Sequence, residues 1–205
     1  MPLSFDKIAL HLPSYLSAAR QEGIKKALAD LPDIKFFYLN AYRDEVLQGD
    51  CWTSLVALDF NSGNRKAIRG VVLSNSCEVV PGQAGLLPNQ LVFVPLLRFE
   101  VLRGFFARHG KNDQQVGTIL DTIRRQEIDN FVYFPKGPGI DAESVAWLDQ
   151  VHTMPLGVFT NQPDRKKLAT LTDPSFYLFA FKLSVYFCRL HENVDRSEAV
   201  HEDWS

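Results

Sequence analysis

The sequence predicts an α+β fold: a small barrel or strongly curved antiparallel sheet, with helices outside it and a long core helix near its end. Three observations predict it. Short β-prone runs separated by turn residues fill the stretch from Cys51 to Phe106. A helical spacing of apolar residues precedes them, from Leu12 to Leu31. A 17-residue apolar segment, Pro174 to Leu190, follows them. With 205 residues, 46% apolar and 22% charged, the chain has the length and composition of one globular domain. The predicted layout is a single domain over 1–205, with a barrel-like core at about 46–160, a C-terminal helix at about 174–192 and an acidic tail at 193–205.

The first helix opens near Pro13, carries Leu16, Ala19, Ile24, Ala27, Leu28 and Leu31, and stops at Pro32-Asp33. Ile34 to Leu39 is a β-prone aromatic run. Cys51 to Phe60 reads as a strand closed by the turn cluster Asn61-Ser62-Gly63-Asn64. Ala67 to Ser74 is the next strand, and Pro81-Gly82 breaks the chain after it. Leu91 to Leu97 is a buried strand. Pro95 has no N–H for a ladder, which marks an edge or a bulge. Phe99 to Phe106 extends the ladder after a bend.

Val116 to Gln126 reads as a helix with Ile119, Leu120 and Ile123 on one face. Asn130 to Phe134 is a strand that ends at Pro135-Lys136-Gly137-Pro138-Gly139. Val145 to Val151 and Leu156 to Phe159 are two further strands. Asp173 then serves as an N-cap with Pro174 at the first helical position. Phe176, Ala180, Leu183, Phe187 and Leu190 run along that helix, and Leu178, Phe181 and Val185 make its other faces apolar, so it is buried on several sides. It is too short to span a bilayer and has Lys182 at its centre, so a core helix is expected.

A net charge of −2 provides no global field toward nucleic acid or an acidic membrane. The acids Glu192, Asp195, Glu198, Glu202 and Asp203, against the single base Arg196, read as a solvated terminus. Cys51, Cys77 and Cys188 are odd in number and irregularly spaced, with no CxxC pair. That favours a reducing, cytoplasmic compartment over a disulfide scaffold. No basic region leading into an apolar run begins the chain, so no secretory signal is expected.

Between Gln48 and Arg98, Gly49-Asp50-Cys51-Trp52 opens a strand. A loop over Asn61 to Lys66 follows, then Arg69-Gly70-Val71-Val72-Leu73-Ser74, then the apolar strand Leu91 to Leu97. This stretch, about a quarter of the chain, resembles the PemK/MazF-like toxins. The resemblance implies an SH3-like barrel and metal-independent endoribonuclease activity in a toxin–antitoxin or phage-defence setting. It also implies that Arg69 takes the place of an arginine facing the scissile phosphate. Two features depart from the family. Gly70 follows the arginine where a proline is usual, and Pro95-Leu96-Leu97 offers no hydroxyl where a Thr or Ser is usual. The partners expected are single-stranded RNA, a small antitoxin protein and a second copy of the chain, with no membrane partner.

Metal-free cleavage needs a base, a group that stabilises phosphorane charge and an acid. Arg69 is the candidate for the charge. Glu78 and His152 are the candidates for proton transfer. A satisfied histidine at a strand end is the commoner reading of His152. Cys77, in Ser74-Asn75-Ser76-Cys77-Glu78, reads as a thiol nucleophile or as a small buried hydrophobe. No HExxH, no zinc-type Cys/His spacing and no glycine-rich phosphate loop is present, so neither metal nor cofactor is expected. Lys25-Lys26, Arg124-Arg125 and Arg165-Lys166-Lys167 are short basic clusters. Arg103, Phe105, Phe106, Arg108, His109 and Lys111 interleave bases with aromatics, a mixture that suits a single strand or a half-buried strand with a solvated loop. The absent hydroxyl supports the alternative function, a non-catalytic SH3-like module that binds protein or nucleic acid. A thiol-dependent enzyme built on Cys77 is a third reading.

Overall fold

The computed structural model describes residues 17–29, 37–60, 62–77, 79 and 89–187. The fold is α+β. Helix α1 (Ala18–Ala29) precedes strands β1 (Tyr38–Leu39), β2 (Cys51–Leu58), β3 (Arg65–Val72) and β4 (Gln90–Arg98). Helices α2 (Phe99–Arg108) and α3 (Asp113–Arg124) follow, then β5 (Phe131–Phe134), β6 (Ser144–Trp147) and β7 (His152–Pro155). The short helix α4 (Leu156–Thr160), β8 (Lys167–Leu171) and α5 (Asp173–Phe187) complete the described elements. The expected outer parts of the first helix, residues 34–36, Pro81-Gly82 and the acidic tail lie outside the described residues.

The sheet runs in the order β1-β8-β2-β3-β4-β6-β5, with β7 paired to β4. Every pairing is antiparallel. The sheet is strongly curved, a half-barrel. One source of curvature lies in β2, where the register with β3 shifts between Trp52 and Leu55 and Ser54 adopts a φ of 61°. Such a bulge bends its strand and increases the local twist.

Pro95 marks neither an edge nor a bulge. Strand β4 is central, and one side of it serves two partners in turn. Gln90 to Phe93 pair with β7, and Leu96 to Arg98 pair with β6. Pro95 falls where the partner changes, so its missing N–H leaves no gap in either of those ladders. On its other side it faces Gly70. A Cβ at Gly70 would lie 2.6 Å from the Val94 carbonyl oxygen and 2.8 Å from Leu55 Cδ1, so close packing requires glycine there.

Three sequence expectations are corrected. Phe99 to Phe106 does not extend the ladder but forms α2, because Phe99, Leu102 and Phe106 fall on one face that packs against α3 and β5. Leu156 to Phe159 is helix α4 rather than a strand, and the strand is the preceding His152–Pro155. The strand expected over Val145 to Val151 is the shorter β6, ended by a turn in which Gln150 N–H donates to the Trp147 carbonyl at 3.1 Å. The sheet also reaches outside 46–160, since β1 and β8 complete one side of it.

Both faces of the sheet are covered. Alternation along the strands puts Cys51, Val71, Val94 and Leu96 on one face with Leu178, Phe179 and Phe181 of α5. Trp52, Leu55, Val72, Leu91, Phe93, Met154 and Phe159 fill the other. A third cluster joins α2 and α3 to β5 and β6. Helix α3 begins with a capping box, Asn112 Oδ1 accepting from Gln115 N–H at 2.9 Å and Gln115 Oε1 from Asn112 N–H at 3.1 Å. Helix α5 begins at Asp173 itself, one residue before the expected first helical position, with the Thr172 carbonyl accepting from Phe176 N–H at 2.8 Å. Among the described residues, no helix is long and apolar enough to cross a membrane.

Candidate functional site

The bulged start of β2 builds the most distinctive polar site. Gly49, with a φ of 86°, lets the chain pass close over Leu171 and delivers Asp50 into the interior. Asp50 is fully buried. Its Oδ2 accepts from Leu47 N–H at 2.8 Å and meets Lys167 Nζ at 2.6 Å. Burial pushes this carboxyl above its ordinary value, against the opposing pull of the Lys167 ammonium. The same ammonium donates to the Tyr42 carbonyl and, at 3.3 Å, to Thr170 Oγ1.

Segment 164–167 is tied to the bulge. Thr53 N–H donates to the Lys166 carbonyl at 2.9 Å, Lys166 N–H to Thr53 Oγ1 at 2.8 Å, and Ser54 Oγ to the Asp164 carbonyl at 3.1 Å. This places the Arg165 guanidinium 5.7 Å from the ring centres of both Trp52 and Phe159, and Lys167 Nζ 5.2 Å from that of Trp52. Trp52 and Phe159 meet edge-on at 5.4 Å.

A cleft of about 450 Å³ opens here. Its walls include Leu39, Arg43, Asp44, Trp52, Arg165, Lys166, Lys167 and Thr170. Four cations line it, one of them matched by buried Asp50, against the single acid Asp44. Trp52 is almost wholly buried, and its indole Nε1 has no hydrogen-bond partner among the described residues. The cleft is therefore cationic, with the aromatic Trp52 in its wall.

The residues singled out from sequence are not gathered in one place. Arg69 lies on β3, where its Nη1 donates to Asp141 Oδ1 at 2.7 Å. Asp141 also takes Arg98, and its carboxyl is held below its ordinary value, chiefly by the Arg69 hydrogen bond. Nε and Nη2 of Arg69 are buried and have no partner among the described residues. His152 lies on β7 opposite Phe93 and stacks on it at 5.7 Å, and partial burial holds its imidazole below the ordinary value. Phe93 belongs to the Trp52 face of the sheet, whereas Arg69 shares the face of Val71, two residues along, which is the α5 face. Arg69 and His152 therefore project from opposite faces.

Cys77 is exposed, so it is not a buried hydrophobe, and its N–H donates to Asn75 Oδ1 at 3.1 Å. Glu78 lies outside the described residues. Of the interleaved aromatics, Phe105 packs on His109 at 4.1 Å and on Trp147 at 5.7 Å, so these rings meet one another. The sequence marks Arg165-Lys166-Lys167 only as a short basic cluster, gives Asp50 a place at the start of a strand but no site role, and does not single out Arg43. The available signal was that triplet beside the aromatic Phe159.

The chain matches no protein-family model and none of the curated proteins with which it was compared.

Proposed function

We propose that this protein is a cytoplasmic module that binds single-stranded RNA through the phosphate backbone and does not cleave it. The observation that carries this reading is the cleft beside Trp52, with Arg43, Arg165 and Lys166 at its walls in addition to the matched Lys167. A phosphate entering it meets Arg165, which the fold already holds against Trp52 and Phe159, together with the exposed Arg43 and Lys166. The cationic stacking on Trp52 and Phe159 keeps Arg165 positioned without neutralising it. Binding without cleavage is supported by the separation of Arg69 from His152, since metal-free cleavage needs its acid, base and charge stabiliser within reach of one phosphate. The free Cys51 and Cys77 agree with a reducing compartment.

One observation favours a second reading, the metal-independent endoribonuclease implied by the toxin resemblance. Two guanidinium nitrogens of Arg69 have no partner among the described residues, and an RNA phosphate that displaced Asp141 would engage the Nη1 that this carboxylate now holds.

Fluorescence anisotropy of a labelled single-stranded oligoribonucleotide, in EDTA, tests both. Neutralising three phosphates predicts a slope of about −2 in log K against log salt, at about −0.7 per phosphate, and Lys166→Ala reduces the slope by about 0.7. Absence of binding at about 50 mM salt, or equal displacement by polyglutamate, would overturn the RNA reading. RNA cut in the same tubes by the wild type but not by Arg69→Ala would establish the second reading instead.

A further inference from the structure

We propose that a second cleft, adjoining the basic one, is a nucleobase subsite and that Tyr42 is the ring on which the base stacks. This rests on the reading of the basic cleft as a phosphate site. The two clefts share a wall: Leu39 and Thr170, cross-strand partners in the β1–β8 pairing, line both. The second cleft encloses about 630 Å³ and is walled by Tyr42, Leu171, Pro174 and Phe176 as well. The first is cationic, and just over half of the second's lining is apolar or aromatic, with Gln48, Ser76, Thr170, Thr172 and Asp173 as its polar part. That is the division a nucleotide requires, with phosphate at one end and a flat apolar base at the other.

Tyr42 is suited to the role. Its side chain is substantially exposed, the residue being 53% accessible, and it has no aromatic partner among the described residues. Its backbone holds a φ of 56°, a region that residues other than glycine, asparagine and aspartate rarely adopt. Lys167, anchored on buried Asp50, fixes the Tyr42 carbonyl in that conformation. The residue at the wall of the basic cleft thus also holds the segment that carries the ring. The far side of the second cleft is equally set, since Gln48 N–H donates to Ser76 Oγ at 2.9 Å and Gln48 Nε2 to the Leu73 carbonyl at 2.8 Å. Strained backbone held by such contacts concentrates at binding sites.

The test compares a short single-stranded oligoribonucleotide with an abasic ribose-phosphate strand of the same length, by anisotropy at low salt. Wild-type protein is expected to bind the base-bearing strand roughly fivefold or more tightly than the abasic one, the effect of one stacked base. Tyr42→Ala should abolish that difference and leave abasic binding unchanged, and Tyr42→Phe should keep it. Equal binding of both strands by the wild type, or an equal loss for both in Tyr42→Ala, overturns the base subsite and leaves the phosphate reading standing. Failure of both strands to bind overturns the phosphate reading and the subsite with it.

Discussion

Lys182 illustrates how one residue is resolved by its surroundings. It sits mid-helix in α5, 2% exposed, and its Nζ donates to the carbonyls of Gln126 at 2.7 Å and Ile128 at 2.9 Å. These are carbonyls just past the end of α3, so the lysine joins two helices by satisfying groups that would otherwise be unpaired. Burial lowers its pKa from 10.5 to about 7, with Asp129 pulling weakly the other way. The sign of the pH effect follows. Between pH 7 and 10.5 the unfolded chain holds a proton that the folded chain has released, so stability rises with pH across that window. Above pH 9 an opposite contribution begins, because burial raises the Cys51 thiol above its ordinary value of 9.0 and folding then opposes its ionisation. Urea unfolding at pH 7 and pH 9 is expected to show greater stability at pH 9. Lys182→Met should remove that increment and lower stability at pH 9 by about 1–3 kcal/mol, the cost of orphaned buried carbonyls. An unchanged pH increment in the variant would disprove the assignment.

At the scale of elements, local signals sufficed where they were self-contained. The apolar stripe of α3 is contained in a few residues, and Leu120 and Ile123 are buried, with Ile119 partly buried, in the cluster shared with α2 and β5. Asn112→Ala should remove the bond that Asn112 Oδ1 accepts from Gln115 N–H and cost about 1 kcal/mol, read as a lower urea midpoint with an unchanged m-value. Asn112→Ser should restore most of the loss. Local signals failed for α2, where β-prone phenylalanines and valine also happened to repeat at helical spacing, and packing against α3 decided between the two. They failed again for β8. Lys167 at its start reads only as part of a short basic cluster, yet its side chain is nearly buried because Asp50, just before β2, and Trp52 within β2 lie against it.

For the whole molecule, α5 is the element on which the half-barrel closes. Phe179 is fully buried, meets Phe134 edge-on at 6.4 Å and lies under Gly49, the residue that admits Asp50 to the core. Phe179→Ala is expected to cost about 3–5 kcal/mol in urea unfolding, and a loss below about 1 kcal/mol would show that the helix is not integral to the core. The sequence by itself determined the α+β class, the strands from Cys51 to Leu97, the helix α3 and the buried character of α5. All of these rest on hydrophobic period and turn chemistry within a few residues. The tertiary structure alone decided that β8 inserts between β1 and β2, that Pro95 sits where β4 changes partners, that Arg69 and His152 face opposite sides, and that Arg165-Lys166-Lys167 shares a cleft with Arg43 and Trp52. The reason is physical. Periodicity fixes which face of an element is apolar, but which distant strand lies against it depends on the curvature and packing of the whole sheet.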